Sequence, residues 1–189
     1  MPSIAIVYHS GYGHTEKVVH CVVEGIQSVS GVTVKAFKAE EATGQMDALD
    51  AFDMIVFGAP TYMGSASAGF KAFADATAKK WLSQTWKDKL AAGFTNSGGL
   101  SGDKLLTLQG FVALAAQHGM IWVGLAEATP PISTGHGATP DMINRIGSYM
   151  GLMTQSDNAS PENTPSPGDK ETARRFGVRL AQITQRWVR

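Results

Sequence analysis

Short apolar runs alternate with amphipathic stretches along the chain. Ile4–Tyr8 (IAIVY) is apolar throughout and predicts a strand buried on both faces. Val18, Val19, Val22, Val23 and Ile26 then share one helical face. Val32–Phe37 (VTVKAF) predicts a second strand, with a short helix following somewhere in Glu41–Ala51. Met54–Phe57 (MIVF) predicts the third strand, and Phe70, Phe73 and Thr77 a helix running to Lys80. Leu90–Phe94 is a weaker fourth strand. Leu105, Leu108, Phe111, Val112 and Ala115 mark the next helix, and Met120–Leu125 (MIWVGL) the fifth strand. The clearest periodicity comes last: Ala173, Phe176, Leu180, Ile183 and Trp187 are spaced 3, 4, 3 and 4.

Strands alternating with helices imply an α/β fold, a parallel sheet covered on both faces. The exception is Ala126–Asp169, rich in Pro, Gly, Ser and Thr, with a helical turn or two around Asp141–Tyr149. A loop of this length in a compact domain is usually functional or disordered. Because a core helix follows it, it reads as a lid or a subunit contact. There is no internal repeat and no domain boundary, so residues 1–189 are expected to form one domain.

Composition narrows the classes. Hydrophobic residues make up 43% and charged residues 17%, a globular balance. Formal net charge is zero, which gives no global field to attract nucleic acid or an anionic membrane surface. No apolar run approaches the roughly 18 residues of a membrane span. The N-terminal MPSIAIVYHS lacks the basic segment of a signal peptide, and the one cysteine, Cys21, cannot form an internal disulfide. A cytoplasmic location is the expectation.

Three segments carry chemistry, each directly after a strand: Ser10–Thr15, Pro60–Ser65 (PTYMGS) and Asn96–Gly102 (NSGGLSG). In a doubly wound sheet of order 2-1-3-4-5, ligands bind at the carboxyl ends of strands, where the order reverses between strands one and three. Strand four lies beside strand three, so all three segments converge on one crevice. In the first, Gly11 and Gly13 let the backbone turn tightly, and a helix N-terminus near His14 adds positive potential. A phosphate fits there without a cationic side chain. The sequence has neither GxxxxGK[ST] nor a complete GxGxxG, since Glu16 holds the last position. Thr61, Tyr62 and Met63 suit one wall of a flat aromatic ligand, and the Gly-rich third segment could hydrogen-bond ring carbonyls. The plainer alternatives are ordinary turns and a flexible loop.

In order along the chain, YHSGYGHTE, FGAPTYMGS, FTNSGGLSG and LAAQHGM resemble the flavodoxin-like FMN-dependent reductases, most closely the WrbA-type NAD(P)H:quinone oxidoreductases. The resemblance covers most of Ser3–Leu125. It implies a three-layer sandwich around a twisted five-stranded parallel sheet, non-covalent FMN, NADH or NADPH as donor, and a quinone or similar acceptor served by a ping-pong mechanism. It also implies a homo-oligomer, a dimer or tetramer. Ser10, Gly11, Tyr12, Gly13, His14 and Thr15 would cradle the FMN phosphate. Pro60, Thr61, Tyr62, Met63 and Gly64 would line the isoalloxazine, with Asn96, Ser97, Gly98, Gly99 and Gly102 on its other side. His118 matches a histidine near flavin and substrate, Trp81 an aromatic bordering the substrate pocket from a neighbouring subunit, and Tyr12 a residue that also meets the nicotinamide nucleotide. WrbA-type chains usually carry Arg-Phe at Tyr62-Met63 and differ around Asn144–Ser156, which leaves the acceptor open.

Other functions stay in view. An electron-carrier flavodoxin commonly has a strongly acidic face, absent from the net charge here. An FMN reductase supplying free flavin is a further alternative. A phospho-receiver would need an aspartate ending strand three, where Gly58-Ala59-Pro60 stands. His9, His20 and His136 lack metal-ligand spacing, and no metal is expected. The arginines 174, 175, 179, 186 and 189 read as the solvated side of the last helix.

Overall fold

A computed structural model describes residues 1–130 and 137–188; His136 and Arg189 lie outside the described residues. Among these residues seven strands and six α-helices follow in order. β1 is Ser3–Tyr8, α1 His14–Gln27, β2 Thr33–Lys38, α2 Ala39–Gly44, β3 Met54–Tyr62 and β4 Ser65–Ala66. α3 is Ala68–Ala76, α4 Ala78–Leu82, β5 Leu90–Ser97, α5 Lys104–Gln117, β6 Ile121–Trp122, β7 Leu152–Gln155 and α6 Pro167–Trp187. A 3-10 turn, Met46–Ala51, precedes β3. No helix among the described residues is long and apolar enough to cross a membrane.

The sheet runs β2-β1-β3-β5-β6 and all five strands are parallel. That path is the expected flavodoxin-like order. The difference is two added strands. β4 folds back on the end of β3 as an antiparallel hairpin, and β7 pairs with β5. The fifth position is therefore shared. β6 pairs with Leu90 and Ala91, and β7 with Phe94–Ser97. The chain leaves the sheet edge after β6 and returns more than two dozen residues later to finish the same position. The stretch expected to be a long loop thus supplies a strand. Asn144, buried, ties the excursion together: its amide donates to the carbonyls of Glu127 (2.8 Å) and Ser148 (3.0 Å), and its N–H donates to Thr172 of α6 (2.9 Å).

Strand residues alternate between two cores. Ile4, Ile6, Met54 and Val56 face α1 and α6, whereas Ala5, Val7, Ile55 and Phe57 face α3 and α5. In the second core Phe70 and Phe111 pack with ring centroids 4.7 Å apart. α1 and α6 approach so closely that a Cβ on Gly25 would stand 1.9 Å from the Arg174 carbonyl oxygen. A Cβ on Gly177 would stand 2.1 Å from that of Val22.

Candidate functional site

β1 ends at Tyr8, and the chain turns through Ser10–Gly13 into α1. Gly13, at the N-cap, has φ of 86°, a conformation that suits glycine. The Ser10 Oγ accepts the N–H of Glu16 (3.2 Å), while the first-turn N–H groups of His14 and Thr15 have no partner among the described residues. The Tyr8 hydroxyl donates to the Glu16 carboxylate (2.7 Å), fixing strand to helix. That hydrogen bond holds the Glu16 carboxyl below its ordinary value, while burial and the adjacent carboxylate push the Tyr8 phenol up. The helix thus presents free donors and its positive end at the carboxyl edge of the sheet, the arrangement that receives an anion.

A cleft of ≈ 420 Å³ opens there, within the range of small-molecule sites. All three expected segments reach it, through Tyr12, His14 and Thr15, through Pro60 and Tyr62, and through Asn96, Ser97 and Gly98. Tyr12 and Tyr62 meet edge-on at its mouth, centroids 6.4 Å apart. The Asn96 side-chain oxygen accepts from the hydroxyls of Thr154 (2.8 Å) and Ser156 (3.0 Å), which leaves its NH2 as a donor for the cleft.

Sequence reasoning missed a fourth wall. Ser156, Asp157, Asn158, Ala159 and Pro161, just after β7, line the cleft as well. His14 Nε2 lies 2.8 Å from the Ala159 carbonyl, and Lys17 pairs with Glu162 at 2.8 Å, so this segment clasps the start of α1. The run of turn-forming residues Asp157-Asn158-Ala159-Ser160-Pro161 was its only signal.

Several expected residues stand elsewhere. Thr61 is buried the other way, its hydroxyl bonded to those of Thr95 and Thr107 (both 2.7 Å), because alternation along β3 turns it toward α5. Met63 is fully exposed at the tip of the β3–β4 hairpin, and the Gly64 N–H donates to Asp103 (2.7 Å). Gly99 and Gly102 lie beyond the lining stretch of their loop. Ser10, Gly11 and Gly13 shape the first turn without lining the cleft.

His118 does not reach the cleft of its own chain. α5 begins at the cleft edge of the sheet and runs back for 14 residues, roughly 20 Å, which sets His118 at the opposite edge. Trp81, on α4 after the similarly returning α3, lies at that edge too, half exposed. His118 is 1% exposed and stacks on Trp86 at 4.7 Å. The Thr77 hydroxyl donates to the Ala74 carbonyl (2.7 Å) and so accepts from His118 Nε2 (2.9 Å), leaving Nδ1 buried and unpartnered among the described residues. Burial lowers the His118 pKa from 6.5. The unfolded chain therefore binds the proton more readily, and stability should fall as pH drops below 6.5. Urea midpoints between pH 5 and 8 should show this slope, at most about 1.4 kcal/mol per pH unit, and His118→Gln should flatten it. An unchanged slope in the variant would assign the acid sensitivity to other groups.

The chain matches the model of the NADPH-dependent FMN reductase family over residues 14–130. It is 42% identical over 185 residues to flavodoxin FldP of Pseudomonas aeruginosa (strain UCBPP-PA14), covering 98% of both chains. It is 30% identical over 205 residues to an NAD(P)H dehydrogenase (quinone) of Rhizobium rhizogenes (strain K84 / ATCC BAA-868), covering 100% of both. Among solved structures, a flavodoxin, WrbA-like protein from Agrobacterium tumefaciens superposes with TM-score 0.73 at 42% identity, covering 98% of this chain and 99% of that one. The matched stretch runs from the first residue of α1 past β6 and includes two of the four cleft walls whole, with His14 and Thr15 of the first. By sequence, sheet order and placement of the cleft, the chain belongs to the NADPH-dependent FMN reductase family.

Proposed function

We propose that the cleft binds FMN and that the chain is an oxidoreductase taking a hydride from NADH or NADPH and passing reducing equivalents to a quinone or similar acceptor. The observation that carries this is the pair of free N–H groups on His14 and Thr15 at the positive end of α1, opening into a cleft with two tyrosines at its mouth. The donor set suits FMN: backbone N–H groups and hydroxyls for a phosphate, aromatic rings for a flat ring system, and the Asn96 NH2 with the Ser97–Gly98 backbone for ring carbonyls. FMN, once bound, would supply the hydride chemistry itself. The protein's part is to bind and orient, and to stabilise charge with loop N–H groups. Tyr12 and Tyr62 would hold donor and acceptor in turn at the same mouth, so that one leaves before the other enters. Initial-rate plots should then be parallel, the mark of a ping-pong scheme. His118 has no catalytic part within its own chain. With Trp81, it would act at a cleft only if another copy of the chain brought that edge to it.

Purified protein should show a flavin spectrum with one FMN per chain, bleach under NADPH without oxygen, and recover colour when a quinone is added. Protein that binds FMN yet turns over no NAD(P)H with a quinone would remove the enzyme reading. The names of the two 42% identical relatives then favour an electron carrier. Turnover with free FMN as acceptor would instead select a flavin reductase.

A further inference from the structure

The sequence stripe along α5 was expected to begin at Leu105. The buried stripe in fact begins one residue earlier, with Lys104 followed by Leu108, Phe111 and Ala115, and Leu105 is exposed. Lys104 is 0% exposed. Its ammonium donates to the carbonyls of Gly99 and Leu100, in the loop that begins with the cleft residues Ser97 and Gly98. Among the described residues it forms no salt bridge.

The charges around it do not cancel its own. Asp169, 2% exposed, is matched by Arg145 through two hydrogen bonds of 2.8 and 3.0 Å, and it also accepts the N–H of Gln155 (2.8 Å). Gln155 in turn donates to the Gly98 carbonyl (3.0 Å) and Asp157 (2.7 Å). The Arg145–Asp169 pair is therefore neutral and braces the cleft walls. Asp103 is exposed, where solvent screens it. A buried ammonium with carbonyl partners alone is costly, and an apolar residue at this helix position would avoid that cost. Burial lowers its pKa to about 8, so the charge is largely kept at neutral pH.

We propose that Lys104 is a redox-tuning residue: its buried positive charge behind the Ser97–Leu100 loop favours the anionic two-electron-reduced state of a flavin in the cleft over the oxidised state. This rests on the FMN reading above. Hydride transfer moves two electrons and one proton onto the flavin and releases the oxidised nicotinamide, leaving a negative charge on the ring. A fixed charge that is itself buried behind the cleft loop acts on that state and hardly on the neutral oxidised ring.

Lys104→Gln keeps a donor for the two carbonyls and removes the charge, whereas Lys104→Arg keeps it. FMN affinity of the oxidised protein, by fluorescence titration, and the midpoint potential, against a reference dye, are the two readouts. In Lys104→Gln, oxidised FMN should bind within about twofold of the unsubstituted protein, a few tenths of a kcal/mol. Reduced FMN should be held about tenfold less tightly relative to oxidised, a fall of about 30 mV for a two-electron couple. Lys104→Arg should hold the original potential. Lys104→Met is a second neutral variant with the same expectation, should the Gln variant fail to fold. Equal weakening of both redox states, with no change of potential, would reduce Lys104 to a loop strut and overturn the proposal. Unsubstituted protein that takes up no FMN would overturn the FMN reading with it.

Discussion

Purified Thr15→Glu is expected to emerge without FMN and to take up none when the cofactor is added. Thr15 is the second residue of α1, is buried, and lines the cleft. A carboxylate there puts negative charge where the phosphate would meet the positive helix end, so attraction becomes repulsion. The expected loss is at least about 100-fold, or about 2.8 kcal/mol. The same carboxylate in the first turn suits the helix dipole, so the fold should tolerate it. Circular dichroism and a thermal melt check that separation. Thr15→Val removes only the hydroxyl and should weaken binding by about 1 kcal/mol. Unchanged FMN affinity in Thr15→Glu would place the phosphate elsewhere.

The largest loss of stability is expected from Gly25→Ala or Gly177→Ala. Intrinsic helix propensity favours alanine by about 1 kcal/mol, so the structure predicts a result opposite to that of propensity. Both added methyls would meet backbone carbonyl oxygens of the facing helix, at 1.9 and 2.1 Å, and a carbonyl cannot rotate away. Relief requires α1 and α6 to part, which loosens Val22, Ile26, Phe176 and Leu180. Each substitution should cost about 3 kcal/mol or more, seen as a lower urea midpoint. A variant as stable as the parent would mean the helices can separate freely.

Neither glycine announced itself in the sequence. Gly25 and Gly177 lie inside strong helical patterns, and only the crossing of two helices gives them a role. The elements themselves were plainer. β1 and α1 were readable because both cores fall on unbroken apolar spacing. For β3 the apolar run Met54–Phe57 marks the strand and Gly58-Ala59-Pro60 its end. The strand continues to Tyr62 because β1 ends opposite Gly58, so Pro60 needs no donor on that side while β5 pairs with it on the other. The fifth strand was read as one piece, Met120–Leu125. Its upper half belongs to β7, and a pairing across that many residues leaves no local trace.

The site was legible in the same measure. Three walls follow from glycines and hydroxyls placed after strands in a known winding order. The fourth, Ser156–Pro161, depends on the detour between β6 and β7. His118 stands away from the cleft of its own chain, which the motif does not foretell, because a motif carries no record of which end of a helix it occupies relative to the sheet. Lys104 gives no signal in the sequence, because a lysine beside leucines reads as the solvated neighbour of a buried stripe.

The shared fifth strand also orders events during synthesis. Strands β1, β2, β3 and β5 and the Ser10–Gly13 turn are all present once residue 97 has been made. The cleft, however, lacks its last wall until Pro161 arrives, and α1 lacks its packing partner until α6 follows. A growing chain therefore carries an open, one-sided turn that, on the proposed site, would hold a phosphate only loosely. Cofactor capture becomes a step that waits for the carboxyl-terminal third of the polypeptide, and a chain truncated before β7 should keep most of its strands yet hold no flavin.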